Sequence, residues 1–372
     1  MRAVFLSTYH ERCGIATYSE ALVAALREAG ADVRVIAPHL PAHDPGRDGD
    51  QPPRLWGRNR AFGFQAFRVA AAIEALRPDV VHAQVNLSLY SSRVLFVLAA
   101  LLHRRGIPLV ATLHGRRGGS WGRNFKLTRL HYALRHAHLV VHGEDHRAEL
   151  DRLRVHVIPH GIEAVRPIPK DEARRAIGLD PRRPVVAHFG FLVPDKGIAE
   201  VLQSVAELRR GAVPDLYYWI SGAVHGTAES RGHHDALRRR VTELGLDGHV
   251  HLSGEFVSDD RVRLELAAAD WIALNYATGG SQGASGAVRR ALTSGRPIAV
   301  SRASIFDDVR RATVTLDAPL TPAIGRLFAE PGLADETARR GAALVDEQSW
   351  PRVARRHLAL YADIGRAGQP ST

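Results

Sequence analysis

The sequence predicts an α/β protein built from two tandem, doubly wound, Rossmann-like domains facing each other across a deep cleft. Three observations carry that reading. Short β-branched apolar runs alternate with amphipathic helical segments through most of the chain. The Pro-punctuated stretch Val165-Arg166-Pro167-Ile168-Pro169 interrupts the alternation, which then restarts. The chain has 372 residues, more than one core of roughly 150 residues holds. The boundaries this implies are residues 1–165, 166–348 and a closing helical segment, 349–372.

In the first domain, strands are expected at Ala3–Ser7, Asp32–Ala37, Val80–Ala83, Leu109–Leu113, Leu139–His142 and Val155–Ile158. Helices are expected at Ile15–Ala29, Phe62–Leu76, Ser91–Arg104 and Phe125–His136. The first places Ala21, Leu22, Ala25 and Leu26 at helical spacing and stops at Gly30. Residues Pro38 to Arg58, rich in Pro, Gly, Asp and Arg, read as a long loop. In the second domain, strands are expected at Pro184–Phe189, Leu216–Ser221, His249–Ser253, Trp271–Asn275 and Pro297–Ser301. Helices are expected at Gly197–Arg209, His234–Leu244, Asp259–Ala268 and Ser285–Thr293. Pro351–Ile364 reads as a last helix, with a frayed tail from Gly365. Alternation of this kind builds parallel sheets covered on both faces.

Composition narrows the function. A hydrophobic content of 45% and a charged content of 24% are those of a globular protein. Cys13 is the single cysteine, so no internal disulfide forms, which fits a reducing, cytoplasmic setting. The longest apolar run, Val94 to Leu102, is shorter than the ~18–20 residues that span a bilayer. Attachment to a membrane surface stays open. The net charge of +11 and pI near 10.4 could mark a nucleic-acid binder. Only Lys126, Lys170 and Lys196 are lysines among 50 basic residues, however, and the arginines spread along the whole chain. No nucleic-acid-binding motif accompanies them, so no nucleic acid partner is expected.

In doubly wound sheets ligands bind beyond the carboxyl ends of the strands. Four such ends carry candidate chemistry. Thr8 to Ala16 places Gly14 at a helix start, where a backbone can approach an anion; a plain βα turn reads equally well. Cys13 there has no paired base visible in the sequence. His114, after Leu109–Leu113, can hydrogen-bond a sugar hydroxyl or stabilise developing charge. Gly190 to Gly197 ends in Lys196, a compact ammonium at a helix N-terminus, where a solvated lysine would oppose the helix dipole. Gly279 to Ala287 offers free backbone amides with Gln282, Ser285 and Gly286 as a cradle for phosphate oxygens. Arg290, further along that helix, can face ligand or solvent. The loop from Gly115 to Lys126, with Arg116, Arg117, Arg123 and Trp121, can meet an anionic or planar acceptor, or be an exposed basic loop.

Together these segments resemble the retaining GT-B glycosyltransferases of family four, over nearly the whole chain. Cys13-Gly14-Ile15-Ala16-Thr17-Tyr18 is similar to that family's first glycine loop, and Asp79-Val80-Val81-His82-Ala83-Gln84 to its third-strand motif. Thr112-Leu113-His114-Gly115, Val157-Ile158-Pro159-His160-Gly161 and Val193-Pro194-Asp195-Lys196-Gly197 follow in the family's order, and Ser349-Trp350 resembles the start of its returning helix. The resemblance implies a metal-independent hexosyl transfer, with no cofactor, from a nucleotide-diphosphate sugar. His114, Lys196 and Gln282 would act at the reacting centre. Gly14, Gly190, Lys196, Gln282, Ser285, Gly286 and Arg290 would bind the donor, and Tyr18, Gln84, Asn86, Arg116 and Arg117 the acceptor.

Two departures stand out. Phe191 occupies a position where the family usually has Arg. Gln282 and Arg290 occupy those of its usual Glu-x7-Glu pair, as in a Gln-x-x-Ser-Gly branch. Arg290 cannot accept hydrogen bonds from a ribose diol, but could replace the lost phosphate cation. Asp48-Gly49-Asp50 has the spelling of a metal-binding motif but sits in the Pro/Gly loop rather than at a strand end. A non-catalytic nucleotide-sugar binder and an epimerase on the same scaffold are the competing readings. A Schiff-base phosphorylase is excluded, because no lysine follows Lys196.

Overall fold

The computed structural model describes residues 1–11, 13–39, 52–57, 62–86, 92–114, 132, 134–144, 147, 150, 153–224, 226–279 and 285–367. The chain divides into two compact units, Met1–Gly161 with Gln348–Thr372, and Ile162–Glu347. The crossing sits at Gly161 and Ile162, four residues before the expected boundary at 166. A Cβ on Gly161 would lie 2.2 Å from the Trp350 ring of its own unit, whereas Ile162 is buried in the core of the second unit.

The first unit holds a seven-stranded, all-parallel sheet. Its strands are β1 (Arg2–Leu6), β2 (Asp32–His39), β3 (Arg54–Gly57), β4 (Val80–Val85), β5 (Leu109–Leu113), β6 (His138–Val141) and β7 (Arg154–Val157), in the order β3-β2-β1-β4-β5-β6-β7. Successive side chains of a strand point to opposite faces, and β1 shows the consequence. Val4 and Leu6 enter the core shared with helices α2 (Phe62–Ala75) and α3 (Ser92–Arg104). Ala3 and Phe5 enter the core on the other face. That second face is covered by α1 (Gly14–Glu28) and by the chain's last described helix, Trp350–Ala367. Val353, Ala354, Leu360, Tyr361 and Ile364 of that last helix are buried there. Because both faces are covered, the strands are near-continuous apolar runs instead of alternating ones.

The second unit repeats the plan with six parallel strands. These are β8 (Val185–Phe191), β9 (Tyr217–Ala223), β10 (Val250–Gly254), β11 (Trp271–Leu274), β12 (Ile298–Val300) and β13 (Val314–Thr315), ordered β10-β9-β8-β11-β12-β13. Its helices are α4 (Lys170–Ile177), α5 (Ile198–Arg209), α6 (Ala228–Glu243), α7 (Asp259–Ala267), α8 (Gly286–Leu292), α9 (Leu320–Ala329) and α10 (Leu333–Glu347); the helix Trp350–Ala367 is hereafter α11. Val185, Ala187, Ile272 and Leu274 serve one core, and Val186, Trp271 and Ala273 the other.

Several elements depart from the sequence expectation. Pro38 to Arg58 is not all loop: Arg54–Gly57 forms the edge strand β3. Leu55-Trp56 is too short an apolar run to show as a strand. What holds it is Arg54, whose Nη1 donates to Glu11 Oε1 (2.7 Å) and the Pro38 carbonyl (2.7 Å) while Nη2 donates to the Tyr9 carbonyl (3.0 Å). Helix α4, also unforeseen, ends at Gly178 with φ +71°. It carries Arg174, which is 2% exposed and bonds Asp270, the Ala268 carbonyl and the Pro181 carbonyl. Helices α9 and α10 and the strand β13 add to the expected set, and α11 runs on to Ala367. Most of the helix expected at Phe125–His136 lies outside the described residues. No described helix is long and apolar enough to cross a membrane.

Candidate active site

Each sheet reverses its strand order once, between β1 and β4 in the first unit and between β8 and β11 in the second. Such switch points open a crevice beyond the strand ends, and the candidate residues gather at both.

In the second unit, the loop after β8 forms a short 3₁₀ turn, Pro194–Lys196, closed by Gly197 at φ +63°. A Cβ on Gly197 would lie 1.8 Å from the Asn275 carbonyl oxygen, so only glycine lets this turn press against the end of β11. Ala277 N–H donates to the Asp195 carbonyl (2.9 Å) and pins the two loops together. The consequence is that Lys196 Nζ sits 3.8 Å from the centroid of the Tyr276 ring, a cation–π contact. Asp195 Oδ2 is 3.5 Å from the same ammonium. Burial lowers the Lys196 pKa from its ordinary value, and the Asp195 carboxylate opposes that shift. Of the three lysines, Lys170 is accounted for structurally, 2.9 Å from Asp270; Lys126 lies outside the described residues.

Tyr276 lies just beyond β11, at a strand end like the other candidates, though the sequence alone does not mark it. It is 6% exposed, and Ser301 Oγ donates to its carbonyl (2.6 Å). Burial raises its phenol above the ordinary value; a hydrogen bond with Ser285 works against this. Ser285 caps α8, its Oγ accepting from Val288 N–H (3.3 Å). Arg289, 4% exposed, fixes that cap from behind, donating to the Ser285 carbonyl (3.0 Å) and pairing with Asp308. Gly190, at φ +143°, would bring a Cβ to 3.4 Å from Tyr276 Oη. His188 lies beneath, fully buried, its pKa driven down by burial to about 3.

These groups border a cavity of ≈ 420 Å³ whose lining includes Gly190, Phe191, Lys196, Tyr276, Ser285 and Gly286, together with Glu255, Phe256 and Asp259. The structure thus brings together Gly190, Lys196, Ser285 and Gly286 as expected of one site. Phe191 and Phe256, 43% and 77% exposed, give it an aromatic border. Arg290 is placed differently. It does not line the cavity, and its guanidinium pairs with Asp259 (2.8 Å) and Glu163 (3.6 Å), so it is not a free replacement for the missing phosphate cation. Gln282 lies outside the described residues.

In the first unit, Gly14 starts α1 exposed, with open space where a Cβ would be. Cys13 is the N-cap of α1, its Sγ accepting from Ala16 N–H (3.3 Å), so it has a structural duty. His114 is half-buried at the end of β5. Its Nε2 is 2.6 Å from Gln84 Oε1, and Asn86 Nδ2 donates to its carbonyl (3.1 Å). Burial holds its pKa at about 4, so the ring is neutral near pH 7. Gln84 is fully buried and Tyr18 is 2% exposed. Tyr18 packs edge-on against His114 (4.7 Å), His160 (4.8 Å) and Trp350 (5.2 Å). Both are expected on the acceptor side; in the structure both are buried, Gln84 bonded to the His114 ring and Tyr18 packed on it. Arg116, Arg117 and the Trp121 loop lie outside the described residues, as do Asp48 and Asp50.

Two Rossmann-like parallel sheets, each with its switch point, give this chain the two-domain GT-B fold. Residues 13–166 match the family described as Glycosyltransferase Family 4. Over 267 residues, 66% of this chain and 60% of the relative, it is 27% identical to the 2-deoxystreptamine N-acetyl-D-glucosaminyltransferase of Streptomyces fradiae. Over 103 residues, 27% of this chain and 22% of the relative, it is 36% identical to the D-inositol 3-phosphate glycosyltransferase of Nocardia farcinica. The chain therefore spans less than two thirds of these relatives' length. Among solved structures, sucrose-phosphate synthase from Thermosynechococcus elongatus superposes with a TM-score of 0.76 at 17% identity, covering 99% of this chain and 100% of that one. Anabaena HepE in complex with UDP does so with a TM-score of 0.74 at 15% identity, covering 98% and 100%.

Proposed function

We propose that this chain is a retaining glycosyltransferase that moves a hexosyl unit from a nucleotide-diphosphate sugar to a hydroxyl-bearing acceptor. The observation that carries the reading is the second-unit cavity, where one partly buried ammonium, Lys196, stands beside the Ser285-capped start of α8. When the bond from the anomeric carbon to the phosphate oxygen breaks, its electron pair stays on the leaving diphosphate. A preorganised cation in a site of low dielectric stabilises that charge more than water does. The new bond forms from the acceptor oxygen to the same face of the sugar, and the acceptor's proton leaves with the phosphate. His114, neutral near pH 7, suits a hydrogen bond to a hydroxyl better than charge pairing with a phosphate. Because Lys196 supplies the positive charge, transfer is expected to be metal-independent.

The comparisons support trying particular substrates first. One neighbouring structure holds UDP, and two relatives are named for cyclitol acceptors, 2-deoxystreptamine and an inositol phosphate. UDP-N-acetylglucosamine and UDP-glucose with cyclitols are therefore the opening assay, read by UDP release and by the anomeric configuration of the product. Release that depends on the acceptor, with an axial-linked product, supports the proposal. An inverted product rejects the retaining mechanism. Absence of release with any UDP-, GDP-, dTDP- or ADP-sugar, across cyclitol and monosaccharide acceptors, rejects the transferase reading.

A further inference from the structure

A buried chain of hydrogen bonds runs from α11, at the far end of the sequence, to His114. Tyr361 Oη is 2.5 Å from His82 Nδ1, across 279 positions of sequence. His82 Nε2 is 2.7 Å from Thr112 Oγ1 and 3.3 Å from Gln84 Nε2. Gln84 Oε1 is in turn 2.6 Å from His114 Nε2. His82, Gln84 and Thr112 are fully buried and Tyr361 is 3% exposed, so water does not scramble these bonds. His357, the other imidazole beside His82, is engaged separately, its Nδ1–H donating to the Val353 carbonyl (2.9 Å).

The donor and acceptor roles along this chain are mutually determined. The Gln84 amide nitrogen only donates, so His82 Nε2 accepts, and the His82 proton sits on Nδ1 and is given to Tyr361 Oη. The Gln84 oxygen only accepts, so His114 Nε2 carries a proton. His114 Nδ1 then holds a lone pair, and no described residue bonds it. Turning the Gln84 amide over inverts both of its links at once.

We propose that Tyr361 of α11 is a positioning residue that, through His82 and Gln84, fixes the tautomer of His114 so that its Nδ1 accepts a hydrogen bond. A fixed acceptor there selects a ligand hydroxyl and disfavours a phosphate or carboxylate oxygen, which has no proton to give. Only that consequence rests on the transferase reading; the tautomer is a property of the unliganded protein. In Tyr361→Phe the buried His82 Nδ1–H loses its acceptor. The His82 proton then moves to Nε2, which Thr112 Oγ1 can accept, the Gln84 amide turns over, and His114 becomes the Nδ1–H tautomer.

The test is long-range ¹⁵N–¹H correlation spectroscopy of the full chain labelled with ¹⁵N-histidine, with His114 assigned through His114→Gln. The wild type should show His114 protonated at Nε2 and bare at Nδ1, and Tyr361→Phe should exchange the two nitrogen signatures. Gln84→Met, which cuts the chain at its centre, should make His114 indifferent to a second Tyr361→Phe change. A wild-type His114 protonated at Nδ1 overturns the proposal. So does a His114 signature that Tyr361→Phe leaves unchanged while Gln84 is intact. No substrate takes part, so a failure to transfer sugar leaves this result standing, and an unmoved tautomer in an active enzyme rejects the relay alone.

Discussion

Lys196 stands directly over the ring of Tyr276, its ammonium nitrogen 3.8 Å from the ring centroid. The two residues reach each other because Gly197 lets the turn after β8 touch the end of β11. The contact gives an ammonium a favourable place in a partly desolvated site, worth about 0.5–2 kcal/mol for such pairs.

Replacing Lys196 by Ala is expected to lower kcat by ~10²-fold or more, as loss of one charge stabiliser at a reacting centre does. Tyr276→Phe should keep the ring contact and most activity, and Tyr276→Leu should lose it. Steady-state kinetics on the three variants check this ordering; equal activity in Leu and Phe variants would remove the ring from the account.

Gly197→Ala should be disproportionately damaging for so small a change. The added Cβ meets the Asn275 oxygen at 1.8 Å, and φ +63° is itself unfavourable for alanine. The expected loss is about 2–4 kcal/mol in urea unfolding, or a displaced Lys196 loop with a correspondingly weak donor site. A variant of wild-type stability and activity would mean that the two loops do not meet as described.

Arg289→Ala should destabilise by about 3–5 kcal/mol, because Asp308, with its side chain 11% exposed, would lose the charge that pairs with it. The double variant Arg289→Ala, Asp308→Ala should recover part of the loss. A double-mutant cycle read by denaturant midpoints tests this, and full additivity of the two losses would contradict it.

Stability should fall on mild acidification. Burial holds His188 at about 3, His357 at about 4 and His82 well below its ordinary value, so the folded state excludes protons that the unfolded chain binds below about pH 6.5. The unfolded state then carries more protons, and unfolding becomes easier as pH drops from 6.5 toward 4. Each fully buried imidazole adds a slope of up to ~1.4 kcal/mol per pH unit in that window. Thermal midpoints between pH 7.5 and 5 check the direction; a midpoint that rises on acidification would contradict it. His114, held at about 4, should leave no ionisation near pH 6.5 in the rate profile.

The fold was legible because its signal is repeated. Eleven expected strands coincide with observed ones to within two residues at either end, since buried parallel strands must be apolar on both faces. What escaped was held by tertiary contacts and not by local pattern: β3 depends on Arg54 reaching Glu11, and β13 is two residues long. At the site, strand-end logic points to His114, Gly190, Lys196 and Ser285, and the last three line one cavity. It does not show which way a neighbouring side chain turns. Tyr18 and Gln84 sit at the right places in sequence, yet their side chains turn inward to hold His114. Arg290 reads as a free cation until Asp259 and Glu163, distant in sequence, are found beside it. Nothing local marks Tyr276 in the sequence, since it is uncharged and stands between Asn275 and Ala277.

The most direct test of the central claim is calorimetric titration of the wild type and Lys196→Ala with UDP, GDP, dTDP and ADP, with and without EDTA. At least one diphosphate should bind the wild type, unaffected by EDTA, and binding should weaken by 10-fold or more in Lys196→Ala, about 1.4 kcal/mol. Equal affinity in the variant, or no binding of any diphosphate to the wild type, would contradict the assignment of the second-unit cavity as a nucleotide-sugar site.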